Sequence, residues 1–140
     1  MAETIQVDIV SAEGEVFSGR AKMVFLPAAE GEIGVAPRHA PLLALLKAGE
    51  VRVQLVDGAE QSFYVGGGAL EVQPSRVTVL ADTAARAHDL DEAAAQAARQ
   101  RAEEALAGKI DKIEQAEALA ELARAAAQLK LIQRLRKIKG

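Results

Sequence analysis

The chain has 140 residues, enough for one ordinary domain or two small ones. Half of it is hydrophobic, too much for a disordered chain, and a net charge of −3 argues against a whole-chain nucleic-acid or membrane binder. It has no cysteine, which excludes disulfides, zinc–thiolate sites, iron–sulfur clusters and thiol nucleophiles.

The chain opens on the acidic stretch Met1-Ala2-Glu3-Thr4-Ile5, which has no apolar core of a signal peptide. Uncharged stretches such as Gln61–Leu70 run to about ten residues, where a spanning helix needs about 20. A soluble, intracellular protein, or one attached to something that is not, is the expectation.

Ile5, Val7 and Ile9 alternate with Gln6, Asp8 and Val10, the period of a half-buried strand. Ala21–Leu26 predicts another strand, ended by Pro27. The stretch Glu30–Leu43 holds two glycines, two prolines and the carboxylates Glu30 and Glu32. It reads either as an ordinary long connection or as a stiff, projecting, acidic loop; stiffness favours a contact surface, because less entropy is lost on docking. Val51, Val53 and Leu55 alternate again up to Asp57-Gly58, a tight turn, and Gln61–Val65 returns antiparallel. Gly66-Gly67-Gly68 lacks the Gly-Lys-Ser/Thr of a phosphate loop and precedes a strand, so close backbone approach or a bulge is the better account. Leu70, Val72, Val77, Val79 and Leu80 continue the strand signal around Pro74-Ser75. Turn signals every eight to twelve residues favour an antiparallel sandwich or barrel over βαβ units.

The character changes near residue 86. Between Ala84 and Ala127, 18 of 44 residues are alanine, interrupted by charges and leucines at helical spacing. Asp89 with Glu92 resembles a capping box, Gly108 suits a helix C-terminus, and Asp111 with Glu114 repeats the start signal of a second helix to about Lys137. Ile113, Ala116, Ala120, Ala123, Ala127 and Leu131 form one predicted stripe, with Leu119, Leu122, Ala126 and Leu129 beside it. The short link implies an antiparallel hairpin. Alanine allows close approach but buries little area, so the hairpin is either a detachable arm or a permanently docked one.

Charge is sorted along the chain. Residues 122–140 carry Arg124, Lys130, Arg134, Arg136, Lys137 and Lys139 and no acid, while residues 1–121 hold the other 11 bases and all 20 acids. This exceeds what the helix dipole asks for and points to an acidic partner surface. Nucleic acid is the competing partner, but no aromatic lies in the run to stack on bases.

Candidate chemistry is sparse. The histidines are His39, in the rigid Pro-Arg-His-Ala-Pro turn, and His88; neither has the companions of a metal site. The serines lie in no Gly-x-Ser-x-Gly elbow, and Asp89, Asp91 and Glu92 are explained by capping. An enzyme using His39 and the loop carboxylates would lack a nucleophile–base pair.

Several blocks occur in order: Val10-Ser11-Ala12-Glu13, Phe17-Ser18-Gly19, the Glu30–Leu43 loop, Gly66–Val72, Val77–Asp82 and Asp89–Ala93. Together they resemble the epsilon subunit of bacterial F-type ATP synthase, over essentially the whole chain. The resemblance implies an all-β sandwich of about ten strands in residues 1–86, followed by a regulatory α-helical hairpin in residues 87–140. It implies a noncatalytic subunit of the rotor stalk, on the cytoplasmic face of the plasma membrane through the complex alone. Its sandwich would bind the gamma subunit and the c-ring, coupling proton-driven ring rotation to ATP synthesis. Its hairpin would extend into the alpha/beta catalytic head and inhibit ATP hydrolysis. By position, Glu30 and Glu32 would meet the c-ring, His39 would lie near gamma, and Lys130, Arg134, Arg136 and Lys137 would face an acidic segment of beta.

One motif departs. Some members bind regulatory ATP through Ile or Leu, Asp, two variable residues, Arg and Ala. Here Leu90, Asp91 and Ala95 match, but Ala94 stands in place of the arginine. A phosphate would lose a bidentate cation, so no cofactor is expected. The alternative to the rotor-stalk reading is a free-standing module presenting a basic helical hairpin to nucleic acid or an acidic protein.

Overall fold

The computed structural model describes residues 3–139. Met1, Ala2, Gly140 and the side chain of Lys139 lie outside the described residues, and with them part of the acidic opening stretch and one charge of the basic run. The chain divides into two compact units, Met1–Arg86 and Ala87–Gly140.

The first unit is all β: β1 (Ile5–Ser11), β2 (Gly14–Ala28), β3 (Gly31–Val35), β4 (Leu42–Leu55), β5 (Glu60–Gln73), β6 (Arg76–Ala81) and β7 (Ala84–Arg86). The sheet runs β1-β6-β5-β4-β2-β3, with β7 beside β5, and β1 also pairs with β2. That last pairing closes the sheet on itself, which removes the open edge at β1. β1 lies antiparallel to β2 through Ile9↔Phe17 and parallel to β6 through Val7↔Val77.

Seven strands stand where about ten were expected. The cause is the length of three of them: β2, β4 and β5 have 15, 14 and 14 residues, and each serves two neighbourhoods without a break. The first half of β2 pairs with β1 and its second half with β3. Likewise β5 pairs first with β7, then with β6.

Period two decides what is buried. Ile5, Val7, Ile9, Val51, Val53, Val77 and Val79 are fully buried, and Phe63 packs among them against Phe17 with ring centroids 5.2 Å apart. At Asp57-Gly58 the chain turns as expected: Gly58 has φ +91° and Leu55 N–H donates to the Ala59 carbonyl at 2.8 Å.

Two local expectations are corrected. Pro27 does not end its strand; β2 continues to Ala28 because the register against β4 shifts between Phe25 and Ala28. A proline is tolerated at such a bulge, where no ladder donor is required of it. The Glu30–Leu43 stretch is not one loop either, since Gly31–Val35 is strand and pairs with β2 from Ala28↔Gly31 to Val24↔Val35. The glycine triplet is the predicted close approach: Gly68 has φ +139°, and a Cβ there would lie 2.1 Å from the Leu80 carbonyl oxygen.

The second unit opens with a 3-10 turn at Ala87–Asp89, followed by α1 (Glu92–Ala107) and α2 (Lys112–Lys139). The N-cap of α1 is Asp91, not Asp89; its carboxylate accepts from Ala94 N–H at 3.1 Å. Asp89 is held in the preceding turn, so the helix starts two residues later. Asp111 accepts from Glu114 N–H at 2.8 Å, as the repeated signal predicts. Gly108 closes α1 with extended backbone and a bond from its N–H to the Ala105 carbonyl, without the left-handed conformation of a C′ glycine.

The helices pack antiparallel, since Glu92 pairs with Arg136 and Arg101 with Glu121. Most of the predicted stripe lies exposed: Ile113 is 72% exposed, as is Leu119 beside the stripe at 51%. The buried positions are Ala95 and Ala102 on α1 with Ala118, Ala125, Leu129 and Leu131 on α2, of which Leu131 belongs to the predicted stripe and Leu129 to the row beside it. Where nearly every position is alanine, apolar periodicity does not select a face. Each buried CH₂ or methyl contributes about 0.8 kcal/mol against about 1.5–3 for a whole leucine, so the seam is thin.

Candidate functional site

Three surfaces are candidate contact sites, two of them holding residues singled out by sequence. The first is the hairpin β2–β3. Glu30 is exposed in the turn between the strands, and Glu32 lies on β3, opposite Pro27. Arg52 of β4 donates to Glu32 Oε1 at 3.1 Å. The acidic residues are therefore carried on a paired strand and its turn, with a cation beside one of them.

His39 sits apart from that pair in its own turn. Its Nδ1 lies 2.7 Å from the Ala40 carbonyl, and its N–H donates to Ala36. Arg38 before it takes φ +69°, donates its N–H to the Pro74 carbonyl at 2.8 Å, and pairs with Glu3 at 2.6 Å. Backbone bonds hold the turn, which leads directly into Leu42 and β4.

The second surface was missed by sequence reasoning. Leu45 pairs with Ala69, Ala69 with Leu80, and Leu80 with Val10, an in-register row across β4, β5, β6 and β1. Leu45 is 70% and Leu80 55% exposed, and Leu43, two residues before Leu45, is 76% exposed. Such outward apolar residues in one row form a patch, and patches mark docking surfaces. The signal was present in Leu42-Leu43-Ala44-Leu45-Leu46, a strand apolar on both phases of its alternation.

Asp8 stands beside this row on β1, opposite Thr78 of β6. Its Oδ1 accepts from Ser18 Oγ at 2.7 Å and from Gln6 Nε2 at 3.0 Å, and Arg76 pairs with its other oxygen. Burial pushes this carboxyl up, but the bonds from Ser18 and Gln6 and the Arg76 guanidinium outweigh it and hold it below its ordinary value. One carboxylate thus ties together the three strands that close the sheet.

The third surface is the helical hairpin. Arg136 is not unpaired on a basic face; it bonds Glu92 on α1. Arg134 is half-buried and engaged, while Lys130 and Lys137 are exposed. The degenerate nucleotide motif is occupied by helix initiation. Asp91 accepts from Ala94 N–H, its carbonyl accepts from Ala95 N–H at 3.0 Å, and Ala95 is buried. Among the described residues no group of three or more metal-ligating side chains gathers, and no helix is long and apolar enough to cross a membrane.

Comparison with known proteins agrees over the whole chain. Residues 4–87 match the family described as ATP synthase, Delta/Epsilon chain, beta-sandwich domain, and residues 88–133 match the long alpha-helix domain of the same chains. The ATP synthase epsilon chain of Nitrosococcus oceani is 63% identical over 140 residues, 100% of both chains. That of Alkalilimnicola ehrlichii is 61% identical over 134 residues, 96% of each. Among solved structures, the fold is similar to a chain of the Euglena gracilis mitochondrial ATP synthase OSCP/F1/c-ring assembly. The TM-score is 0.70 and the identity 16%, over 98% of this chain and 82% of that one. A chain of the Tetrahymena thermophila mitochondrial ATP synthase central stalk and c-ring gives 0.64 and 12%, over 93% and 97%. Two domain matches in order, with relatives of this identity end to end, do not favour a free-standing module. The chain belongs to the ATP synthase epsilon-chain family, central-stalk subunits of F-type ATP synthase.

Proposed function

We propose that this chain is a noncatalytic rotor-stalk subunit whose sandwich couples ring rotation to the catalytic head and whose hairpin restrains ATP hydrolysis. The observation that carries the docking role is the row Leu45–Ala69–Leu80–Val10, with its two leucines exposed. It is the surface on which gamma would sit, with the His39 turn leading into it. Glu30 and Glu32 would meet the polar loops of the c-ring from the β2–β3 hairpin. Association with the membrane, on the cytoplasmic face in a bacterium, would come through the complex alone.

The hairpin supports the second role. Its helices have high intrinsic propensity and a thin alanine seam, so they can separate without unravelling. Extended, α2 would offer Lys130, Arg134, Arg136 and Lys137 to an acidic segment of beta in the alpha/beta head. No residue of the chain is assigned to bond-making, and with Ala94 where a phosphate-binding arginine would stand, no regulatory ATP is assigned to it.

Co-purification of gamma with the full chain tests the docking role. Gamma should be retained by the natural chain and lost with Leu45→Asp. Leu45 is exposed, so its substitution should shift folding stability by no more than about 0.5 kcal/mol. Retention of gamma by a folded Leu45→Asp chain would refute this assignment of the surface.

A further inference from the structure

Phe25 of β2 pairs in register with Arg52 of β4 on one side and with Gly34 of β3 on the other. These positions form one row across three strands. The space that a side chain at position 34 would take is already filled. A Cβ there would lie 2.8 Å from Met23 Cε and 3.1 Å from Phe25 Cε1. The Phe25 ring thus leans over the edge strand β3. The Arg52 guanidinium lies on that ring, its carbon 4.4 Å from the ring centroid, and its Nη2 reaches Glu32 Oε1 at 3.1 Å. An arginine from β4 so crosses β2 to grip a carboxylate on β3, with an aromatic ring as its bridge.

The consequence is geometric. An exposed glutamate on an edge strand samples many rotamers, and ordering it on docking costs entropy. Here the stack restricts the guanidinium, and the guanidinium restricts one carboxylate oxygen of a side chain that stays 57% exposed. Lysine would keep the charge but lose the planar stack and the fork.

We infer that Arg52, seated on Phe25, is a positioning residue that pre-orders Glu32 for contact with the c-ring. The inference rests on the proposed reading of Glu32 as a ring contact. It assigns no direct ring contact to Arg52 itself; its effect passes through Glu32.

The test uses the assembled ATP synthase in inverted membrane vesicles, with proton pumping measured per ATP hydrolysed. Glu32→Gln and Arg52→Gln should each lower that ratio by roughly two- to five-fold, the range of one exposed ion pair. Phe25→Leu and Arg52→Lys should fall between these and the natural chain. The double variant Glu32→Gln/Arg52→Gln should be no worse than Glu32→Gln alone, because the arginine acts only through the carboxylate. A merely structural arginine would lower the ratio further in the Glu32→Gln background, and that result would overturn the inference. So would an undiminished ratio in Arg52→Gln when Glu32→Gln is impaired. An undiminished ratio in Glu32→Gln would instead remove the ring-contact reading, and the inference with it.

Discussion

Arg136, near the end of α2, is ion-paired with Glu92, the first residue of α1. The pair ties the two ends of the hairpin and engages a cation that the proposed inhibited state needs elsewhere. In that proposed state Glu92 would compete with the acidic segment of beta for the same guanidinium. A prediction follows for ATP hydrolysis by the assembled complex. Glu92→Gln should release Arg136 and lower hydrolysis by roughly two-fold, within the range of an exposed pair. Arg136→Gln loses the contacts of both states, which offset one another, so its effect should be smaller, and adding Glu92→Gln to it should change nothing further. Steady-state ATPase assays at low salt decide this; a Glu92→Gln effect that persists in the Arg136→Gln background would refute the competition.

Asp8 gives the sandwich an acid-sensitive clasp. Its carboxyl is held below its ordinary value in the folded chain, so its stabilising effect is present above the unfolded value near 3.9 and is lost as pH falls through the lower, folded value. Denaturant midpoints of the full chain should therefore fall as pH is taken from about 5 to about 2. Asp8→Asn should flatten that dependence and cost on the order of 1 kcal/mol at neutral pH. An unchanged slope in Asp8→Asn would show that other carboxylates govern the acid limb.

Gly14 and Gly68 separate backbone strain from collision. Both have positive φ, +127° and +139°, but a Cβ at Gly14 meets nothing within 4 Å while one at Gly68 meets the Leu80 carbonyl at 2.1 Å. Gly14→Ala should cost about 1–3 kcal/mol, and Gly68→Ala more than that, by urea denaturation. Equal costs would mean that the β5–β6 approach relaxes freely.

Titration of the full chain with ATP should give no isotherm at micromolar concentration. The positions of the degenerate motif are committed to starting α1, and Ala94 supplies no cation. A clear micromolar isotherm would contradict this.

Much of the first unit was legible because its alternation is clean. Ile5, Val7 and Ile9 fall inward as read, and Asp57-Gly58 turns where a glycine of positive φ is required. Pro27 misled, because a bulge that tolerates proline is set by β4, not by its own neighbours. The apolar row at Leu45 and Leu80 was not legible as a surface, since only the register shows that leucines from separate strands face outward together. In the hairpin the existence of both helices was clear, but their contact face was not. Alanine marks no phase, and the cross-helix partners of Arg101 and Arg136 lie 20 and 44 residues away. The grip of Arg52 on Glu32 was hidden for the same reason, being a contact between residues 20 apart in sequence on strands that do not pair with each other.

The most direct test of a docked sandwich carrying a restraining arm is removal of residues 89–140 in the assembled complex. ATP hydrolysis should rise while ATP-driven proton pumping persists, because in the proposed arrangement the sandwich would provide the link between ring and stalk. Unchanged hydrolysis together with lost pumping would contradict the account.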